Sequence, residues 1–434
     1  MNPEIAFWLT LVLFTLTYAG LALGEIPGLR MDRAAIAMVG ATLMLVTGLL
    51  TLPQAVAAGC IDYKTLLLLF GMMVVVAFLR LSGVFQGMAG WARDRIRSPR
   101  VMLAATIATS GLLSAFLIND VVCLALTPLV LHLTRRLRVD PLPHLLALAT
   151  AANIGSTGTI TGNPQNIYIG SHSGIPDLSF ALRLLPVALL GLVVNFFVIA
   201  ILYRRSLTPD TNRSGAGLPG GNVGASNFTS ENGPTPRSPR GYQAWLQRKS
   251  VTVTLVAVIL FFTGLPLELI ALGAAAVLLV CRVKPEKVYQ QIDWSLLVLF
   301  MGLFIVVHAF RVHVVPHWGV ERWAWLAGHP VDLLSLASAA LSNVVSNVPA
   351  VLLMEPIVAA IVPANRETAW LALAMSSTLA GNLTVLGSVA NLIVVENARR
   401  EGISVSFWQY CRVGVPLTLL TLALGIGWLE FVHY

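Results

Sequence analysis

From residue 149 to residue 170 the chain reads ATAANIGSTGTITGNPQNIYIG, inside an otherwise apolar segment. Gly155, Gly158 and Gly162 weaken a helix, and Pro164 cannot continue one smoothly. Asn153, Asn163, Gln165 and Asn166 are costly against lipid. Irregular backbone at membrane depth is tolerated only where it is buried in protein or lines a cavity. The stretch therefore reads as an unwound helix contributing Asn153, Gly155, Ser156, Thr157, Thr161, Gly162 and Asn163 to a site. Three other places carry the same residue types. One holds Ser114 and Ile118-Asn119-Asp120, and one holds Ser342, Asn343, Ser346, Asn347 and Pro349. The last is AGNLTVLGSVAN, with Gly381, Asn382, Thr384, Gly387, Ser388 and Asn391.

Amides, hydroxyls, exposed carbonyls and helix N-termini with partial positive charge make a neutral binding chemistry. It suits a small oxyanion, a neutral polyhydroxy solute or a sodium ion. The sequence offers no thiolate or imidazole cluster for a soft metal. Small polar residues also serve as packing contacts between membrane helices. That reading suits one such segment better than four in matched pairs. Asp120 is the sharpest residue, because a carboxylate at membrane depth is expensive and marks a candidate for proton exchange. Its counterpart, Val348, cannot titrate, which suits one coupling-ion site better than two. Glu355 is a second candidate proton carrier, and Arg80 either snorkels or pairs with a carboxylate. Glu268, Glu396 and His308 sit near expected helix ends, where solvation accounts for them, and Cys123 reads as a small buried hydrophobe.

The elements that must position these residues follow from composition. The 434 residues are 56% hydrophobic and 11% charged, with mean hydropathy +0.79. A soluble chain carries about a quarter charged residues, so this is an all-α polytopic membrane protein. The net charge of +8 forms no basic face, so nucleic acid is not an expected partner. Four scattered cysteines support neither a disulfide framework nor a zinc site. Residues 5–23 lack a preceding basic region and read as a first membrane helix. Further apolar segments lie at 34–52, 65–84, 101–133, 142–170 and 182–203, then at 251–265, 267–283, 294–310, 333–362, 370–396 and 413–432. Between the two sets, residues 206–248 are rich in Gly, Ser, Asn and Pro and read as a flexible linker.

The six-part order occurs twice, and internal similarity supports the match. Ile61-Asp62-Tyr63 precedes LLLLFGMMVVV as Ile292-Asp293-Trp294 precedes LLVLFMGLFIVV. ANIGSTGTITGNPQN corresponds to AGNLTVLGSVAN. Basic residues set the orientation. With Arg30 and Arg33, Arg93 to Arg100, Arg135 to Arg138, Arg204 and Arg205, Arg248 and Lys249, Arg282 to Lys287, and Arg399 and Arg400 inside, segment 101–133 has both flanks inside. It then reads as a re-entrant hairpin. Each repeat makes five crossings plus one hairpin, and an odd number inverts the second repeat. The expected domains are a first inverted repeat over 1–205 (hairpin 101–138, broken helix 142–170) and a cytoplasmic linker over 206–248. A second repeat follows over 249–434 (hairpin 333–362, broken helix 370–397), with both termini outside. Discontinuous helices meeting at the midplane are the architecture of secondary transporters.

LINDVVCLALTPLVL, the 149–170 stretch, LSNVVSNVPAVLL and AGNLTVLGSVANLIV resemble the ion-transporter superfamily. That group includes arsenite-efflux permeases, citrate–metal and dicarboxylate symporters, and sodium/proton antiporters. Within it the Asn119-Asp120 tip followed by NIGS and GNPQN is most similar to plant silicon-efflux and bacterial arsenite-efflux transporters. The resemblance covers nearly the whole chain except the linker. It carries the family's tip asparagines to Asn119 and Asn347, and it implies an elevator-like movement, a homodimer and a plasma (bacterial inner) membrane location. The dicarboxylate branch has Ser-Asn-Thr at both tips, whereas this chain has Ile118-Asn119-Asp120 and Ser346-Asn347-Val348. Asp120 would repel an anion, so proton-driven efflux of a neutral hydroxide such as arsenous or silicic acid is favoured. A sodium-coupled importer of a dicarboxylate or inorganic anion, and a sodium/proton antiporter, are the alternatives. An enzyme is not expected, since the sequence lacks a nucleophile-plus-base constellation, and no organic cofactor is implied. It also lacks a GxxxxGK[ST] loop, so any ATPase contribution would come from a separate polypeptide.

Overall fold

The computed structural model describes residues 2–23, 31–56, 60–207, 240–317, 329, 331–361 and 363–433, and among these every regular element is helical. Local sequence sets the helix starts. Asp62 opens Tyr63–Leu81 by accepting from the Lys64 and Thr65 N–H groups, and Asp293 opens Trp294–His313 by accepting from the Leu296 N–H at 3.0 Å. Asp32 does the same for Arg33–Val46 through Ala35 at 2.8 Å.

Among the described residues, seven helices are long and apolar enough to cross a membrane. They are Pro3–Leu23, Tyr63–Leu81, Pro99–Phe116, Asp177–Leu202, Arg240–Phe261, Trp294–His313 and Phe407–His433. The sequence reading counted ten crossings, and three differences account for the gap. The expected helix at 34–52 ends at Val46, because Gly48 takes a φ of +74° and Leu52–Val56 forms a separate turn. Its partner at 267–283 ends at Leu279. Helices of 14 and 13 residues reach only about 20 Å, short of a hydrocarbon layer of roughly 30 Å. The segments at 142–170 and 370–397 are broken, into Leu142–Ser156 and Pro164–Ser173, and into Pro363–Ala380 and Val389–Arg400. Pro99–Phe116 qualifies by length, although the basic flanks make it one half of a hairpin. It meets Asn119–Leu137 across a break at Leu117-Ile118, as Asp332–Val345 meets Asn347–Ala360 across Ser346.

The stretch read as linker differs at its end, since the helix Arg240–Phe261 begins within it. Aromatic anchors of the kind found at membrane interfaces explain the early start. Tyr242 stacks on Trp245 at 5.5 Å, Lys249 sits 5.2 Å above the Trp245 ring, and the Arg282 N–H donates to the Tyr242 hydroxyl at 2.8 Å. Residues 208–239 of that linker lie outside the described residues.

Packing relations recur between the two halves. Arg33–Val46 packs on Trp294–His313, and Leu267–Leu279 packs on Tyr63–Leu81. Each contact closes on a glycine. A Cβ on Gly302 would stand 2.7 Å from the Ala37 carbonyl carbon, and one on Gly71 would stand 2.7 Å from that of Ala271. Only a bare backbone allows this approach. Likewise Pro99–Phe116 packs on Leu142–Ser156 as Asp332–Val345 packs on Pro363–Ala380, and Asp177–Leu202 lies against Phe407–His433. Gly302→Leu and Gly71→Leu are each expected to destabilise the protein by about 1–3 kcal/mol or more through overpacking. Thermal unfolding in detergent reads this, with Gly273→Leu, which meets open space, unchanged. Equal melting temperatures for all three would contradict the close packing.

Candidate functional site

Both broken helices unwind in the same way. Leu142–Ser156 gives way to a 3-10 turn, Ile160–Gly162, and then to extended backbone at Asn163 (φ −155°, ψ 161°). Asn163 caps the next helix by accepting from the Asn166 N–H at 2.8 Å. In the second half a 3-10 turn, Val385–Gly387, leads to extended Ser388, which caps Val389–Arg400 by accepting from the Ala390 N–H at 3.3 Å. Unwinding frees carbonyls, and an asparagine takes each set. Asn166 Nδ2 donates to the carbonyls of Ser156 and Thr159 at 3.1 and 2.9 Å, and Asn391 Nδ2 to those of Gly381 and Thr384 at 2.7 and 3.2 Å. The glycines are steric requirements. A Cβ on Gly155 would overlap the Gly111 backbone, one on Gly162 would stand 2.5 Å from the Ser156 carbonyl, and one on Gly387 would stand 2.9 Å from that of Gly381.

The halves meet at two matched junctions. Asn153 Nδ2 donates to Asn382 Oδ1 at 2.9 Å and to Asn391 Oδ1 at 3.0 Å. Its Oδ1 accepts from Asn119 Nδ2 and Ser388 Oγ, both at 3.0 Å. An amide side chain has two donors and two acceptor sites, so buried Asn153 is saturated. The second junction centres on Thr378, which accepts from Asn163 Nδ2 at 3.3 Å and Gln165 Nε2 at 3.1 Å and donates to Asn166 Oδ1 at 3.5 Å. Thr378 occupies the register position of Asn153, and Asn163 and Asn166 those of Ser388 and Asn391. The tip asparagines reach the broken helices: Asn119 bonds Asn153, and Asn347, with its amide turned to satisfy its neighbours, donates to the carbonyls of Ser377 (3.0 Å) and Gly387 (3.2 Å), the residues before Thr378 and Ser388.

Other expected site residues play supporting parts. Ser156 and Thr157 hydroxyls donate to the Asn153 carbonyl at 2.9 and 3.2 Å, and Asn382 Nδ2 donates to the Thr150 carbonyl at 3.2 Å. Asn343 donates to the Ala339 and Ala380 carbonyls at 3.0 and 3.1 Å. Ser114 and Ser342 are buried with hydroxyls that find no partner among the described residues. Ser346 holds a φ of +78°, a region costly for a residue with a Cβ, at the tip between two helix arms. Ile118, at the matching position of the first tip, is unstrained at −57°.

Between the tips lies a cavity of about 50 Å³ lined by Asn119, Asp120, Gln165, Ser346, Asn347 and Arg33, among others. Half-buried Asp120 lies within reach of the Ala390 N–H, at the N-terminus of Val389–Arg400, where the helix dipole favours negative charge. Glu355 is not in this cavity; it pairs with Arg311 elsewhere. Sequence reasoning placed Arg33 in a loop, whereas it begins a helix and faces the same space as Asp120. It also passed over Thr378, which extending the repeat alignment back to residue 378 would have found.

The citrate transporter family model (CitMHS) matches residues 10–380 and 320–432. Among curated relatives, the silicon efflux transporter LSI3 of Oryza sativa subsp. japonica is 34% identical, with 93% of each chain covered. The putative transporter arsB of Dictyostelium discoideum is 24% identical over 92% of this chain and 87% of its own. Among solved structures, the Alcanivorax borkumensis YdaH transporter aligns with a TM-score of 0.55 at 16% identity, covering 100% of this chain and 98% of that one. This last likeness concerns the fold.

Proposed function

The chain belongs to the citrate transporter family and is a multi-pass membrane transporter, and from that premise we propose that it exports a small neutral hydroxide, arsenous or silicic acid, in exchange for protons. The observation that carries this reading is the cavity between the tips. Its polar lining is chiefly neutral, the amides of Asn119, Gln165 and Asn347 and the hydroxyls of Ser346 and Ser388 set among apolar side chains, with Asp120 as the acidic and Arg33 as the basic residue among those lining it. A space of about 50 Å³ takes roughly three to five water-sized groups, which suits a compact hydroxide better than a tricarboxylate. The names of the rice and Dictyostelium relatives point the same way. Asp120 is the proton carrier in this account. Ionised, it is held by the Ala390 N–H; protonated, it becomes a donor to a solute hydroxyl.

The matched junctions and reciprocal helix contacts support two inverted repeats with re-entrant hairpins at 101–138 and 333–362. Repeat 1–205 and repeat 249–434 would then flank a cytoplasmic linker, with both termini outside. An elevator movement would carry the hairpins and broken helices past Tyr63–Leu81 and Trp294–His313.

One observation favours a second reading. Arg33 in the cavity makes no ion pair or hydrogen bond among the described residues and would welcome an anion, as sodium-coupled import of an oxyanion requires. A panel of arsenite, silicic acid, citrate and succinate, run in proteoliposomes under separate proton and sodium gradients, decides between them. Accumulation of a metalloid hydroxide under the proton gradient alone is expected. Sodium-dependent uptake of a carboxylate would overturn the reading.

A further inference from the structure

A second cavity, of about 60 Å³, lies apart from the tips and is lined by Cys60, Asp62, Tyr168, His172, His308 and Arg311, among others. Arg311 forms an ion pair there with Glu355, whose side chain is only 9% exposed. Asp62 accepts from Ser171 Oγ at 2.6 Å, bonds Thr65 Oγ1, and lies 3.6 Å from His172 Nδ1. Both ties cross the same boundary. Asp62 caps Tyr63–Leu81 and Arg311 lies in the repeat-related helix Trp294–His313, while His172 and Glu355 belong to Pro164–Ser173 and Asn347–Ala360.

Comparison with the matched positions shows that the Glu355 tie is peculiar to one half. Arg80 stands where Arg311 stands in the repeat, and Thr127 where Glu355 does, each followed by proline (Pro128, Pro356). Thr127 turns its hydroxyl to the Cys123 carbonyl at 2.6 Å, so the position matched to Glu355 offers no carboxylate to Arg80. Two carboxylates, Asp62 and Glu355, face one guanidinium near the second cavity, with His172 beside Asp62 and His308 on the wall. With Arg311 on that wall a metal ion is disfavoured. A proton is the cation that Glu355 and the imidazoles can hold.

We propose that Glu355 takes up a proton in this cavity and so releases Arg311, untying Trp294–His313 from the arm Asn347–Ala360. The proton comes from solvent through His172, which is 30% exposed and next to Asp62. The carboxylate becomes a carboxylic acid and no electrons move. Arg311 stays charged and keeps the Tyr168 hydroxyl as a neighbour within hydrogen-bonding reach. The ionised pair locks the boundary, and the protonated pair lets the two sides separate. Neither the solute nor Asp120 takes part in this step.

Cys60 offers a native probe, since it is buried on the cavity wall with its thiol 3.8 Å from the Phe304 carbonyl. Cys123, Cys281 and Cys411 are replaced by serine, and maleimide labelling of detergent-solubilised protein is followed from about pH 8 to about pH 5.5, the span over which histidine titrates. Rates are normalised to unfolded protein at each pH. Without substrate or gradient, normalised labelling is expected to rise several-fold as the pH falls. Glu355→Gln and Arg311→Gln should label at the acid rate throughout, and His172→Gln should move the midpoint of the curve. Labelling independent of pH, or a Glu355→Gln curve that superimposes on the parent's, would overturn the proposal.

Discussion

Asp120→Asn abolishes gradient-driven accumulation, reducing it to the level of protein-free vesicles, while the protein remains folded. The amide matches the carboxylate in shape and keeps an oxygen to accept from the Ala390 N–H. Stability should therefore stay within about 1 kcal/mol of the parent, because Asp120 is half-buried and faces a cavity instead of a packed neighbour. The loss is expected to fall on coupling, since Asp120 is the one carboxyl group among the residues that line the cavity. Solute exchange down its own gradient should persist in the variant, which separates lost coupling from lost binding. Proton-driven accumulation in Asp120→Asn equal to that of the parent would remove this residue from the mechanism.

The second large effect is expected at Asn153. Asn153→Ala removes four hydrogen bonds at once and leaves Asn119 Nδ2, Asn382 Oδ1, Asn391 Oδ1 and Ser388 Oγ with one partner fewer inside a buried junction. Leaving buried polar groups unsatisfied costs about 1–3 kcal/mol each, so a loss of about 3–5 kcal/mol is expected, with transport lost alongside. Asn153→Thr is the informative companion. It installs at the first junction the residue that serves the second, where Thr378 holds three amides. It should recover part of the stability, and a melting temperature equal to that of Asn153→Ala would show that the junctions are not equivalent.

Much of this arrangement was legible in the sequence because it rests on residues that lipid does not tolerate. Asn153, Asn163 and Asn391 in apolar segments had to be partnered by protein, and the repeat indicated which segments would partner which. Boundaries were less legible. Residues 34–52 are apolar throughout, yet the helix stops at Val46 because Gly48 turns the chain, and hydropathy does not register a backbone angle. Arg33 counted only as a charge that sets orientation, and its place in the cavity depends on where the helix begins. Unwinding frees the carbonyls of Ser156, Gly381 and Thr384, but Asn166 and Asn391 take them, a relation between residues seven or ten apart in a chain that has left helical register. The Arg311–Glu355 tie lay beyond any local pattern, joining residues 44 apart in sequence. The mismatch of Arg80 and Thr127 against Arg311 and Glu355 was nevertheless present in the aligned repeats.

The central claim is that solute moves against protons. Proteoliposomes holding a pH-sensitive dye test it directly when arsenite or silicic acid is added outside with sodium absent and no gradient imposed. Exchange predicts that the lumen turns alkaline as solute enters and protons leave, in either orientation of the protein, and that Asp120→Asn vesicles stay flat. Solute entry with no change in luminal pH, or a signal that appears only when sodium is supplied, would contradict it.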